Sequence, residues 1–165
     1  MASTQTWSEF NGTNAATETT SRTEANWKSV DDSTTAYGSA PITAGNNSFT
    51  KYQALKFAGT WNSLSALTYK VSTTAPATGV TVVGSVVTSG TTPSASASGD
   101  STTNMTTGIS ANFVSSSTPY GTGTASSTAS GTMYANPFRT QLQTTGSAAA
   151  GDIPSVTITA SWTES

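Results

Sequence analysis

Leu67-Thr68-Tyr69-Lys70-Val71-Ser72 puts an apolar side chain at every second position, and this run decides the class of fold. Side chains of a strand alternate between the two faces of a sheet. The spacing therefore turns Leu67, Tyr69 and Val71 to one side and Thr68, Lys70 and Ser72 to the other. Beyond a turn at Pro76–Gly79 comes Val80-Thr81-Val82-Val83-Gly84-Ser85-Val86-Val87. That run is apolar on both faces, as a strand covered on both sides must be.

Working outward, the same texture recurs. Upstream, a turn cluster over residues 41–47 leads into a predicted strand from Phe49 to Phe57, with Leu55 and Phe57 on one face. Downstream, Met105, Thr107, Ile109, Ala111 and Phe113 alternate with polar neighbours and predict one more strand. Phe138, Thr140 and Leu142 predict another. Val156, Ile158, Ala160 and Trp162 close the chain after a turn at Ala150-Gly151-Asp152. Between them lie two long Ser/Thr/Gly stretches, 88–104 and 115–135, in the second of which Tyr120, Met133 and Tyr134 mark parts that pack. No capped apolar segment with a 3.6-residue period appears. Short strands separated by turn-rich loops predict an all-β fold, an antiparallel β-sandwich or jelly roll, over a single domain at 41–165.

Residues 1–40 read differently. They hold seven of the fourteen charged residues and three isolated aromatics, Trp7, Phe10 and Trp27, set among Thr, Ser, Asn and Ala with no sustained period. This texture predicts an extended N-terminal arm whose three aromatics anchor it on a partner surface. The alternative is that Trp27 and Val30 cover the edge of the chain's own domain.

Composition narrows the chemistry. Sixty-two of the 165 residues are Ser or Thr, His and Cys are absent, and 8% are charged, against about 25% in average soluble proteins. Without an imidazole or a thiol, the usual bases, nucleophiles and soft metal ligands are missing. A serine nucleophile would need a lysine as its base, and no lysine stands in a Ser-x-x-Lys spacing with the flanking groups such enzymes use. Asp31-Asp32 is followed by Ser33, Thr34 and Thr35 rather than by the alternating oxygens of a calcium loop, and reads as a solvated turn. The eight acids are too scattered to nominate a glycosidase pair.

No catalytic residue, cofactor or metal site is therefore expected. The six cations are dispersed, and the formal charge is −2, so no nucleic-acid footprint is expected. No membrane span or secretory signal is expected either. Asn-x-Ser/Thr triplets at Asn11, Asn46 and Asn104 carry little weight in so hydroxyl-rich a chain. Of the remaining tryptophans, Trp61 and Trp162 read as core rather than as a sugar-stacking platform.

Two stretches carry a resemblance. Ile42-Thr43-Ala44-Gly45-Asn46-Asn47-Ser48-Phe49-Thr50-Lys51, leading into Leu55-Lys56-Phe57-Ala58-Gly59-Thr60-Trp61-Asn62, resembles the first core strands of small virion structural proteins of tailed bacteriophages. Gln141-Leu142-Gln143-Thr144-Thr145, with Ala150-Gly151-Asp152 and Val156-Thr157-Ile158-Thr159, is similar to their final hairpin. Together these cover about a quarter of the chain. The resemblance implies an all-β head decoration (cement) protein on the capsid surface of the virion. It would bind the major capsid protein, self-associate as a homotrimer and catalyse nothing. The alternative is a glycan-binding or adhesin-like module on a tail or neck.

Overall fold

The computed structural model describes residues 3–114, 117–128, 130–151 and 153–165. Asp152 of the predicted final turn lies outside the described residues, as do residues 1 and 2 of the predicted arm and 115, 116 and 129 of the second polar stretch. The chain is all-β, with strands β1 (Thr4–Asn11), β2 (Thr17–Thr19), β3 (Lys51–Gly59), β4 (Leu64–Val71), β5 (Val80–Val86) and β6 (Ile109–Ser110). β7 (Phe113–Val114), β8 (Ser126–Ser127), β9 (Gly131–Ala135), β10 (Phe138–Thr144) and β11 (Ile158–Glu164) follow.

These strands form two packed antiparallel sheets. The larger runs β2-β1-β3-β10-β5, with β9 beside β3 and β7 beside β9; the smaller runs β11-β4-β6, with β8 also on β4. The alternating run of β4 and the two-faced apolar run of β5 thus occupy opposite layers.

The interior follows from the alternation. Leu67, Tyr69 and Val71 of β4 face Leu55 and Phe57 of β3, Val82 of β5 and Phe138 of β10, all at most 2% exposed. Trp61 joins them at 3%, and Trp162 packs against the same cluster, so both sit in the core as expected. A second cluster of Phe10, Ala15, Tyr52, Ala54 and Tyr134 lies on the opposite face of the large sheet. There the two polar loops supply cover. Tyr120 sets its ring 6.0 Å from Phe10 and 6.5 Å from Tyr52. The 88–104 loop hangs on the buried Gln141 side chain, whose Nε2 donates to the carbonyls of Ser48, Ser94 and Ser96.

The extended arm is corrected. Residues 4–11 are an integral strand, paired with β3 from Thr4↔Ala58 to Phe10↔Tyr52. A strand with no visible period arises because one inward position of β1 is ionic rather than apolar. Glu9 is 1% exposed and meets Lys51, itself fully buried, at 2.9 Å.

The strand predicted over 105–113 is also corrected. Met105 lies in a turn; β6 pairs with β4 of the small sheet, and β7 with β9 of the large one. The chain passes from one sheet to the other here, so Met105, Ala111 and Phe113 are buried and Ile109 half-buried, while Thr107 is exposed and no single strand runs through them.

Candidate functional site

The inward face of β1 and β3 extends beyond the small sheet, and there residues 22–44 cover it. That segment has little regular structure, so its placement rests on specific bonds. The backbone N–H of Arg22 donates to the Trp7 carbonyl at 3.0 Å, Ser29 N–H to Ala40, and Phe49 N–H to Lys28, also at 3.0 Å. Trp27 Nε1 donates to Thr140 Oγ1 at 3.1 Å.

Lys28, 1% exposed, is the hub of the segment. Its Nζ donates to Asp32 Oδ1 at 2.8 Å and to the Thr35 carbonyl at 2.6 Å. The Lys28 ammonium, with the Thr35 hydroxyl and the Thr35 and Thr34 amides, holds the Asp32 carboxyl well below the usual carboxylate range. Asp31 turns the other way and accepts from Asn11 Nδ2 at 2.9 Å and from Gly12 N–H at 2.8 Å. The acid pair read as a solvated turn is thus a two-sided clasp. No group of three or more potential metal ligands occurs among the described residues.

Between this segment and residues 148–151 and 153–158 lies a groove of about 1190 Å³. Trp7 and Trp27 both line it, each partly buried against the core. Tyr37, 58% exposed, also lines it. Ile42, Ile153 and Val156 add apolar surface. Polar groups interrupt it: Glu24, Asn26, Arg22 and Gln53 also line the groove. Asn26 Nδ2 donates to Glu24 Oε2 at 2.5 Å. Gln53 is 5% exposed, and its Oε1 has no hydrogen-bond partner among the described residues. Such a site offers flat apolar faces with a few polar groups to fix orientation, as binding clefts do.

Of the three aromatics singled out in the sequence, the fold therefore brings two together. Phe10 is three residues from Trp7 and so points to the opposite face of β1. It is 3% exposed there and packs edge-on with Tyr134 at 6.2 Å. Its reading as a partner anchor is corrected to core packing. Tyr37, Arg22 and Gln53 were not foreseen. Only the folding of the 22–44 segment over the sheet brings them beside the tryptophans, and no local motif marks them.

The charges that looked dispersed are largely paired. Arg139 makes two bonds to Asp100, at 2.6 and 2.8 Å. Lys56 stands 3.7 Å from Glu18, and Arg22 3.6 Å from Glu9. Burial pushes the Asp100 carboxyl up, but the bonds from Arg139, Ser85 and Ser98 outweigh it and leave the group below its ordinary value. Much of the scarce charge is thereby spent on holding loops to sheets, and hydroxyls and amides are left to clothe the exterior. Comparison with protein-family models, with curated proteins and with solved structures found no match, so the groove is read from its own geometry.

Proposed function

We propose that the chain is a non-enzymatic virion structural protein of the decoration type, a sandwich or jelly-roll domain that binds the major capsid protein on the outside of the shell and stabilises it. The observation that carries the binding reading is the groove in which Trp7, Trp27 and Tyr37 stand together, partly or largely exposed. Aromatic side chains concentrate interface energy when a partner completes their burial. A surface of hydroxyls and amides is desolvated at far lower cost than one of unpaired ions. Repetition on a lattice multiplies modest contacts into firm attachment. A homotrimer matches the three-fold positions of an icosahedral shell and covers sheet edges. The function needs no cofactor, nucleic acid or membrane.

The test is decoration of empty heads by the wild type and by Trp27→Ala/Tyr37→Ala. The variant should keep its circular dichroism spectrum and lose binding; undiminished decoration refutes the groove as the contact. Light scattering that returns a monomer refutes the trimer.

A second reading, a glycan-binding or adhesin-like module on a tail or neck, is favoured by the flat faces of Trp7, Trp27 and Tyr37 lining one groove with the polar side chains of Arg22, Glu24 and Asn26. Flat faces and hydrogen-bonding side chains suit a sugar ring and its hydroxyls. Saturable binding on a glycan array, abolished by Trp27→Ala, would select it. Trp61, at 3% exposed, is unavailable for that role.

A further inference from the structure

At the end of β1, three side chains of complementary chemistry meet. The register that pairs Phe10 with Tyr52 places Asn11, one step on, directly across from Lys51. Glu9 precedes Asn11 by two residues and shares its face. A single oxygen, Glu9 Oε1, accepts from Lys51 Nζ at 2.9 Å and from Asn11 Nδ2 at 3.0 Å. All three side chains are withdrawn from water: Lys51 is 0% exposed, Glu9 1% and Asn11 7%. Asn11 Oδ1 is buried without a hydrogen-bond partner among the described residues, which a core asparagine serving only as a structural link ordinarily avoids. An ion pair alone accounts for Glu9 and Lys51. Asn11 Nδ2 also donates to Asp31 Oδ1 at 2.9 Å, which helps to hold the carboxamide in place but leaves its buried Oδ1 without a partner among the described residues and its Nδ2 on the same oxygen as Lys51.

We propose that Lys51 and Asn11 are joined by an intramolecular isopeptide bond, with Glu9 as the proton carrier. Glu9 removes a proton from the Lys51 ammonium, and the freed lone pair of Nζ attacks Cγ of Asn11. The Nζ–Cγ bond forms and the Cγ–Nδ2 bond breaks. Two protons of the former ammonium pass through Glu9 to Nδ2, which leaves as ammonium, and the carboxylate is regenerated. One ammonium and one carboxamide become one secondary amide and one ammonium, so charge and atoms balance without an oxidant or cofactor.

The geometry supplies what the step requires: a carboxylate touching both nucleophile and leaving group, reactants fixed on paired strands, and little water. With the Lys51 charge gone, Arg22, 3.6 Å from Glu9 Oε2, remains as the counter-charge. Asn11-Gly12 is also a pair prone to cyclise on itself. Here the Gly12 N–H is engaged by Asp31 Oδ2 at 2.8 Å, which holds the nitrogen off Cγ of the Asn11 side chain.

The consequence is a covalent brace in a chain without cysteine. It would lock the first strand to the centre of the large sheet and close residues 11–51 into a ring. The proposal stands independently of the virion reading.

The test is mass spectrometry of the full-length wild-type chain, freshly purified and after prolonged incubation at neutral pH. The expected result is a mass one ammonia below that of the sequence. Digestion should also yield a branched peptide containing Asn11 and Lys51, with trypsin blocked at Lys51. Glu9→Gln should show neither. A mass equal to the sequence mass after incubation overturns the proposal. So does a loss of water with a Lys51–Glu9 linkage, and so does a loss of ammonia confined to a linear Asn11-Gly12 peptide with Lys51 cleavable. The wild-type measurement decides even if Glu9→Gln does not fold.

Discussion

Tyr69 and Phe138 stack ring on ring across the interior, with 5.4 Å between centroids and 7° between planes. One belongs to β4 of the small sheet and the other to β10 of the large sheet, and both are fully buried. Trp7 leans on the same tyrosine at 5.7 Å, so this contact joins the two layers and supports the floor of the groove. Phe138→Ala should lower stability by about 4 kcal/mol, because the cavity is walled by two sheets that cannot close on it. Tyr69→Phe should cost less than about 1 kcal/mol, since the hydroxyl accepts only a long bond, 3.4 Å from the Leu55 N–H. Urea denaturation of the two variants checks the order.

Deletion of residues 1–32 should abolish folding rather than yield a trimmed domain. It removes β1 and β2, uncovers one edge of β3 and leaves Lys51 buried without Glu9. An uncompensated buried charge alone costs about 3–5 kcal/mol. A dispersed proton NMR spectrum of the truncated chain would contradict this expectation.

Gln141 organises the 88–104 loop from beneath. Its Nε2 reaches three serine carbonyls, and its Oε1 accepts from Ser98 N–H at 3.0 Å. Gln141→Leu keeps the volume but orphans those groups, which should cost about 2 kcal/mol. Limited proteolysis should then cut within 94–98, where the wild type resists.

Acid should weaken the sheet through Asp100. Its carboxyl lies below its ordinary value of 3.8 in the folded state, so its contribution is complete above that pH and fades as the pH falls through the lower folded value. Asp100→Asn should therefore cost about 2 kcal/mol at neutral pH, the loss of charge-assisted bonds to Arg139. The gap between variant and wild type should narrow in strong acid. Thermal melts from neutral pH into strong acid measure it, and a gap independent of pH would contradict the assignment.

Legibility followed the chemistry of each strand. β4, β5 and β10 bury apolar residues and β11 half-buries them, and each carried its own local signal: alternation in β4, β10 and β11, a continuous apolar run in β5. β1 was hidden because its inward positions are filled by Trp7 and Glu9, and the partner that makes a buried glutamate tolerable, Lys51, is forty-two residues away. β9 was hidden inside a serine-rich stretch because only Met133, Tyr134 and Ala135 of its five residues are buried. Trp7 and Trp27 were recognisable as unusual, but the groove they share was not.

The amino-acid order by itself determined the class of fold and the poverty of acid–base chemistry, because side-chain period and residue type are local properties. Tertiary structure alone decided which face of β1 each aromatic takes and which lysines are buried. It also decided that Glu9, Asn11 and Lys51 converge. Those outcomes depend on strand register and on a loop folding over a sheet, and both are set by the summed burial of residues far apart in the chain.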